Sequence, residues 1–260
     1  MLQDRSALIT GSVGGIGFAT AKALAGLGCH VMLNGFAPPE VIAARVAELE
    51  ALGVRAAHHP ADLRDPAQIA ALVEATATTF GGPDILVNNA VVRSFAPIEE
   101  FDPAAWDDAL AVNLSAPFHA IRLTVGGMKA RGWGRIVNLA SIYGMFATVD
   151  RVDYVTTKTA LIGLTRAVAL EVARTGVTCN AVCPGTVLSP AIERRLRGEM
   201  QRDGTGFEEA AAAFLAIRQP SRRFVAEDNV AALIAFLCGA PAADINGAAM
   251  PIDGAWAAGR

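Results

Sequence analysis

The chain has 260 residues, enough for one α/β domain with a substantial core and too few to require two. Hydrophobic residues make up 53% of it and charged residues 18%, with a formal net charge of −3, a balance that gives no electrostatic case for a nucleic-acid partner. No apolar stretch is long enough to span a bilayer, and parallel strands covered on both faces account for the apolar composition without a membrane.

Ala7-Leu8-Ile9 reads as the first strand, followed by Thr10-Gly-Ser-Val-Gly-Gly-Ile-Gly17 and a run of good helix formers from Phe18 to Gly26. Strand, glycine turn and helix in that order form the unit that binds a nucleotide pyrophosphate. Gly11 allows the tight turn, Gly15 and Gly17 let backbone and phosphate approach closely, and the helix N-terminus presents free N–H groups to the anion. His30–Asn34 is a second strand, succeeded by a Pro38-Pro39 turn and a helix near Glu40–Leu52. Arg55–Asp62 reads as the third strand, and Pro66–Phe80 as a helix with Asp65 as N-cap and Pro66 at its first position. Asp84–Ala90 and Arg135–Ser141 are the fourth and fifth strands, with a long helix over Trp106–Arg131 between them and Pro117 as its bend. A helix then runs from Tyr154 to about Arg174, Thr178–Cys183 is the next strand, and Ala248–Asp253 the last.

Strands separated by helices imply a doubly wound parallel sheet with right-handed crossovers and helices on both faces: a Rossmann-like α/β fold, one domain over residues 1–260. The least regular part, Leu188 to Phe224, is polar and Arg-rich and follows a strand's carboxyl end, where ligands bind in such sheets. It is expected to be a helical substrate lid, the alternative being an ordinary surface helical pair. Cys29, Cys179, Cys183 and Cys238 include no C-x-x-C pair and read as free buried thiols of a reducing cytosol. Met1–Arg5 leads straight into the first strand with no basic leader, so a cytoplasmic location is expected. His58 and His59 point to opposite faces of a strand, and no metal site is expected.

The most telling spacing is Tyr154-Val-Thr-Thr-Lys158, with Ser141 thirteen positions upstream. Residues at i and i+4 share a helix face, so the Lys158 ammonium approaches the Tyr154 phenol. A neighbouring positive charge stabilises a phenolate, which turns a poor base into a usable general acid/base. Ser141 then holds a substrate oxygen beside the same phenol.

Together, Thr10–Gly17, Asp62-Leu63, Asn88-Asn89-Ala90, Asn113, Ser141, Tyr154, Lys158 and Pro184-Gly185 resemble the short-chain dehydrogenase/reductase family over essentially the whole chain. Within that family, Leu33-Asn-Gly-Phe36, Asn113–His119, Gln219-Pro-Ser221, Phe224-Val225 and Asp253–Trp256 look most similar to D-3-hydroxybutyrate dehydrogenases. The resemblance implies that Tyr154 exchanges a proton with the substrate oxygen and that Ser141 polarises that oxygen. It further implies that Lys158 binds the nicotinamide ribose and that Asn113 holds a water of a proton relay. It places the cofactor against Gly11, Gly15, Ile16, Gly17, Phe36, Asp62, Leu63, Asn89, Ala90, Val112, Tyr154, Lys158, Pro184, Gly185, Val187 and Ser189, with Asp62 at the adenine amine and Leu63 on its ring. Asn34 through Glu40 contain no Arg or Lys to meet a 2′-phosphate, and the matching segment in the hydroxybutyrate enzymes accompanies NAD, so NAD is the expected cofactor. A homotetramer is implied by the same resemblance.

The departures lie around the substrate. Val91 replaces the family's glycine after Asn-Asn-Ala, and Thr186 stands where a tryptophan follows Pro-Gly. Arg93, Tyr143, Arg151 and Arg195 align with the Gln, His, Lys and Gln that hold a carboxylate in the hydroxybutyrate enzymes. Together with Ser141 and Tyr154 they are the expected substrate residues. Arg151 suits a small anionic hydroxy acid or keto acid. Arg93 and Arg195 either answer a larger or doubly anionic substrate such as a hydroxy-dicarboxylate, or turn to solvent or pair with Glu193, Glu99 or Glu100. A 3-oxoacyl-type reductase using NADPH is the competing enzymatic reading, and a nucleotide-sensing protein without catalysis the competing class.

Overall fold

The opening apolar run becomes β1 (Ser6–Ile9), joined by β2 (His30–Asn34), β3 (Ala56–His59), β4 (Ile85–Asn88), β5 (Gly134–Leu139), β6 (Val177–Pro184) and β7 (Ala249–Ile252). Every pairing is parallel, in the order β3-β2-β1-β4-β5-β6-β7. The computed structural model describes residues 2–216 and 218–259. Met1 and Arg260, within the expected domain span, and Ile217, within the expected lid, lie outside the described residues. The connecting helices are α1 (Gly15–Ala25), α2 (Pro39–Glu50), α3 (Pro66–Phe80), α4 (Pro103–Leu110), α5 (Ala116–Arg131), α6 (Val152–Val172), α7 (Pro190–Asp203), α8 (Phe207–Ala216) and α9 (Glu227–Cys238).

Successive strand residues face opposite sides, and the core accordingly divides into two layers. Ile9, Val31, Leu33, Val87 and Val137 pack under Phe18 and Leu24 of α1 and Val230, Ile234 and Leu237 of α9. Leu8, Met32, Leu86 and Ile136 pack on the other face under Ile69 and Leu72 of α3, Ile121 and Met128 of α5, and Val172 of α6. The chain winds outward from β1 in one direction through β2 and β3 and in the other through β4 to β7. Such a reversal opens a crevice at the carboxyl ends of β1 and β4, the ligand position of doubly wound sheets.

Three details differ from the sequence reading. The expected bend at Pro117 lies earlier: Ala111–Ser115 form a π-helical turn, in which the Ala116 N–H reaches back five residues to the Ala111 carbonyl. Pro117 follows directly, so its missing amide falls where the π turn interrupts the regular ladder. The third strand stops at His59, because Pro60 has no N–H to continue the ladder. And α9, to which the sequence reading assigned no element, begins with acidic Glu227 and Asp228 and buries Val230, Ala231, Ile234, Leu237 and Cys238.

The segment 188–224 holds α7 and α8, which share a small core of their own: Leu196, Ala210 and Ala211, with Ile192, Met200, Phe207 and Phe214 around them. All four cysteines are free and buried. Burial pushes Cys183 up to about 11 and Cys179 and Cys238 up to about 12, so these thiols stay protonated and pack as apolar groups. Among the described residues no helix is long and apolar enough to cross a membrane.

Candidate active site

The glycine turn after β1 is shaped by contact with the loop after β4. Gly11 has φ +61°, and a Cβ there would lie 2.8 Å from Ala90 Cα. A Cβ on Gly17 would meet the Gly11 carbonyl and come within 2.6 Å of Asn89 Nδ2. The Asn89 amide donates to the carbonyls of Thr10 at 3.0 Å and Gly11 at 2.7 Å. Thr10 Oγ1 in turn accepts from the N–H groups of Asn89 and Ala90, at 3.0 and 3.1 Å. Asn89 thus holds the cradle in shape. No side chain caps the N-terminus of α1 at Gly14, which leaves that turn's amides to an anion.

At the end of β2, the buried Asn34 turns inward. Its amide donates to the carbonyls of His59 at 3.1 Å and Ala61 at 3.0 Å. Phe36 is 66% exposed beside it. Lys22 of α1 and Arg45 of α2 both pair with Glu48, at 3.0 and 3.2 Å. Asp62 pairs with Arg64, which also reaches Asp108 at 2.8 Å, while Leu63 and Val112 are buried. Beyond β6, a Cβ on Gly185 would lie 2.6 Å from Gln219 Oε1, the same oxygen that accepts from Thr186 N–H at 2.9 Å. Val187 bridges to Val225, and Ser189 caps α7 through the Ile192 N–H. Gln219, buried and holding the Pro184–Val187 turn in place, is a residue that sequence reasoning quoted without a role.

Tyr154 and Lys158 lie one turn apart on α6, with Lys158 Nζ 5.7 Å from the centre of the Tyr154 ring. Lys158 is buried and its ammonium donates to the Leu139 carbonyl at the end of β5. Burial pushes its pKa down to about 8; the Cys183 side chain opposes this and the positive charge of Arg93 adds to it. Ser141 is buried just past β5, where its Oγ accepts the Tyr143 N–H at 3.1 Å and caps the 3-10 turn Ile142–Gly144. That turn carries Tyr143 to an edge-on contact with Tyr154, ring centres 6.5 Å apart.

Asn113 sits in the π-helical turn. Its Oδ1 accepts from the Val92 N–H and its Nδ2 donates to the Val92 carbonyl, both at 2.9 Å, and to Thr157 Oγ1 at 3.2 Å. Both amide protons are therefore engaged in clamping the loop after β4 to α6.

Arg151 immediately precedes α6. Its guanidinium stacks 4.1 Å from the ring centre of Phe95, 4.7 Å from Tyr154 and 5.7 Å from Tyr143. It forms no ion pair among the described residues, and its buried Nε has no hydrogen-bond partner. Burial makes the charged guanidinium less favourable than in water, with the Tyr154 side chain opposing that effect. Trp256 reaches back from the C-terminal end to Tyr143, ring centres 5.4 Å apart. Phe95 carries no motif that would have announced it as part of this corner, and Trp256 was quoted in the resemblance of Asp253–Trp256 without a role. Arg195 is not brought here: it lies on α7, 60% exposed at its side chain, paired with Glu199 at 2.8 Å and stacked on Phe214. Its partner is thus none of the three acids considered from sequence, and Glu193 pairs instead with Arg197.

A glycine cradle at a sheet's reversal point, beside a buried lysine one helical turn from a tyrosine, is an arrangement shared with known proteins. A family model described as short chain dehydrogenase matches residues 5–199. The chain is 41% identical to a D-beta-hydroxybutyrate dehydrogenase of Cupriavidus necator over 99% of this chain and 100% of that one. It is 42% identical to another of Rhizobium meliloti, over 98% of this chain and 99% of the relative. L-sorbose reductase from Gluconobacter frateurii, solved with NADPH and L-sorbose, matches with a TM-score of 0.91 at 30% identity, over 97% of this chain and 96% of that one. The chain therefore belongs to the short-chain dehydrogenase family, oxidoreductases that act on CH–OH groups with a nicotinamide cofactor.

Proposed function

We propose that the protein is an NAD-dependent dehydrogenase of a small anionic 3-hydroxy acid. The observation that carries this reading is Arg151: a half-buried guanidinium stacked on the Tyr154 ring, without a carboxylate partner among the described residues. A desolvated cation left unpaired is costly, and a substrate carboxylate bound through its planar fork offsets that cost. Such a carboxylate would set the neighbouring hydroxyl against Tyr154. The similarity to two D-beta-hydroxybutyrate dehydrogenases supports the same substrate class.

Tyr154 takes the hydroxyl proton as the alcohol becomes a ketone, and Ser141 donates a hydrogen bond to the same oxygen. The Lys158 ammonium and the Arg151 guanidinium face the Tyr154 ring and stabilise negative charge on its oxygen while the proton moves. A bound nicotinamide would supply the acceptor for the hydride of the carbinol carbon. Gly11, Gly15, Ile16 and Gly17 would hold the pyrophosphate, Phe36, Asp62 and Leu63 the adenosine end, and Ala90, Lys158, Gly185 and Val187 the nicotinamide end. NAD is favoured over NADP because Asn34 through Glu40, at the end of β2, contain no Arg or Lys to meet a 2′-phosphate. The pair α7 and α8, with its own core beyond β6, serves as the lid.

Initial rates with 3-hydroxybutyrate test this. A kcat/KM at least about tenfold higher with NAD than with NADP is expected; the reverse order would remove the cofactor assignment. Arg151→Met is expected to lower kcat/KM for 3-hydroxybutyrate about 100-fold, mostly through KM, because a charge-assisted bidentate contact is lost. An unchanged KM in that variant would show that the carboxylate binds elsewhere.

A further inference from the structure

The loop after β4 is fixed residue by residue. Val92 is clamped on both its backbone groups by Asn113, and the Ser94 N–H donates to Asp153 Oδ2 at 3.0 Å, one residue before Tyr154. Between these two anchors Arg93 has no freedom to drift with its backbone. Exposure alternates along the loop: Val92 and Ser94 are half-buried, Arg93 and Phe95 exposed. Phe95, two residues beyond Arg93, is stacked on Arg151. Arg93 thus lies in the stretch of loop held between Asn113 and Asp153, next to the ring that covers Arg151. Its positive charge is felt at both Arg151 and Lys158.

The corner around Tyr154 thus gathers three cations, Arg93, Arg151 and Lys158. None forms an ion pair among the described residues. The acid whose charge reaches Arg151 is Asp153, fully buried, with one oxygen given to Ser94. One substrate carboxylate satisfies Arg151 and leaves Arg93 pressing on it and on Lys158. We propose that the substrate carries two carboxylates, one for each guanidinium, so that the enzyme is a dehydrogenase of a short hydroxy-dicarboxylate and Arg93 sets that specificity. This rests on the hydroxy-acid reading above and narrows it. Relative to 3-hydroxybutyrate, the natural probe is 3-hydroxyglutarate, in which a CH2–COO⁻ group replaces the terminal methyl while the reacting carbon and first carboxylate are kept.

The test is kcat/KM for both acids with NAD, in the wild type, Arg93→Gln and Arg93→Lys. We expect the wild type to prefer 3-hydroxyglutarate by at least about tenfold. Arg93→Gln should lower the ratio of the two kcat/KM values at least about 30-fold, and Arg93→Lys should restore part of it because charge returns without the planar fork. The ratio is measured on one preparation, so it does not depend on how much of the variant is folded. A wild type that prefers 3-hydroxybutyrate, or an Arg93→Gln variant whose ratio does not move, overturns the inference and leaves the hydroxy-acid reading standing. If neither acid reduces NAD, both fall together.

Discussion

Replacing Tyr154 with phenylalanine is expected to lower kcat by about 10³-fold, the range contributed by a positioned acid/base group. The change removes one oxygen and keeps the ring. The ring supports the site's packing: Arg151 lies over it at 4.7 Å, Lys158 at 5.7 Å, and Tyr143 meets it edge-on. The Tyr154 hydroxyl makes no hydrogen bond among the described residues, whereas its backbone carbonyl accepts from Thr157. Losing the hydroxyl therefore breaks no contact of the fold, and the thermal midpoint should stay within about 2 °C of the wild type. A general acid/base acts in the transition state, so kcat and kcat/KM should fall together. Turnover within tenfold of the wild type would take proton transfer away from Tyr154.

Much of this was legible in the sequence, and the reasons differ by residue. The alternation of apolar runs with helix formers gave the sheet and its winding, since burial on both faces leaves a continuous apolar signature. Gly11 and Gly17 were legible because no other residue fits: added Cβ atoms would strike Ala90 and Asn89. Lys158 and Tyr154 were legible because helical spacing alone puts them on one face. Side-chain direction was not. Arg195 faces Glu199 one turn along its own helix, a local pairing that competes with any substrate and needs only i,i+4 spacing. Asn113 and Asn89 hold backbone groups brought close by the fold, contacts spanning 21 and 78–79 residues that no local pattern encodes. The π-helical turn at Ala111–Ser115 escaped for a related reason: one extra residue in a helix leaves no compositional mark, and here it lands on Asn113. Phe95 entered the site from a loop whose sequence reads as ordinary surface, and Trp256 from a stretch whose resemblance was legible but whose reach to Tyr143 was not.

Lys158→Met should inactivate the enzyme and stabilise the protein at the same time. In the native state the ammonium is buried and its pKa falls from the ordinary 10.5 to about 8. A base whose folded pKa is depressed binds fewer protons folded than unfolded between those two values, so stability rises with pH across that interval. The cost of burying the charge is thus fully present below pH 8, about 3 kcal/mol from the pKa difference, and it fades as pH climbs toward 10.5. The hydrogen bond to the Leu139 carbonyl is lost in the variant, which returns about 1–2 kcal/mol of that. The net expectation is a variant about 1–2 kcal/mol more stable than wild type at pH 7 by urea unfolding, with the gap narrowing between pH 8 and pH 10. Turnover should drop at least about 100-fold, because the positive charge that faces the Tyr154 ring is gone. A variant less stable than wild type at pH 7, or a gap that widens with pH, would mean that the lysine is held in the core by contacts stronger than its desolvation. A stabilised but inactive variant would identify Lys158 as a residue kept for chemistry against the preference of the fold.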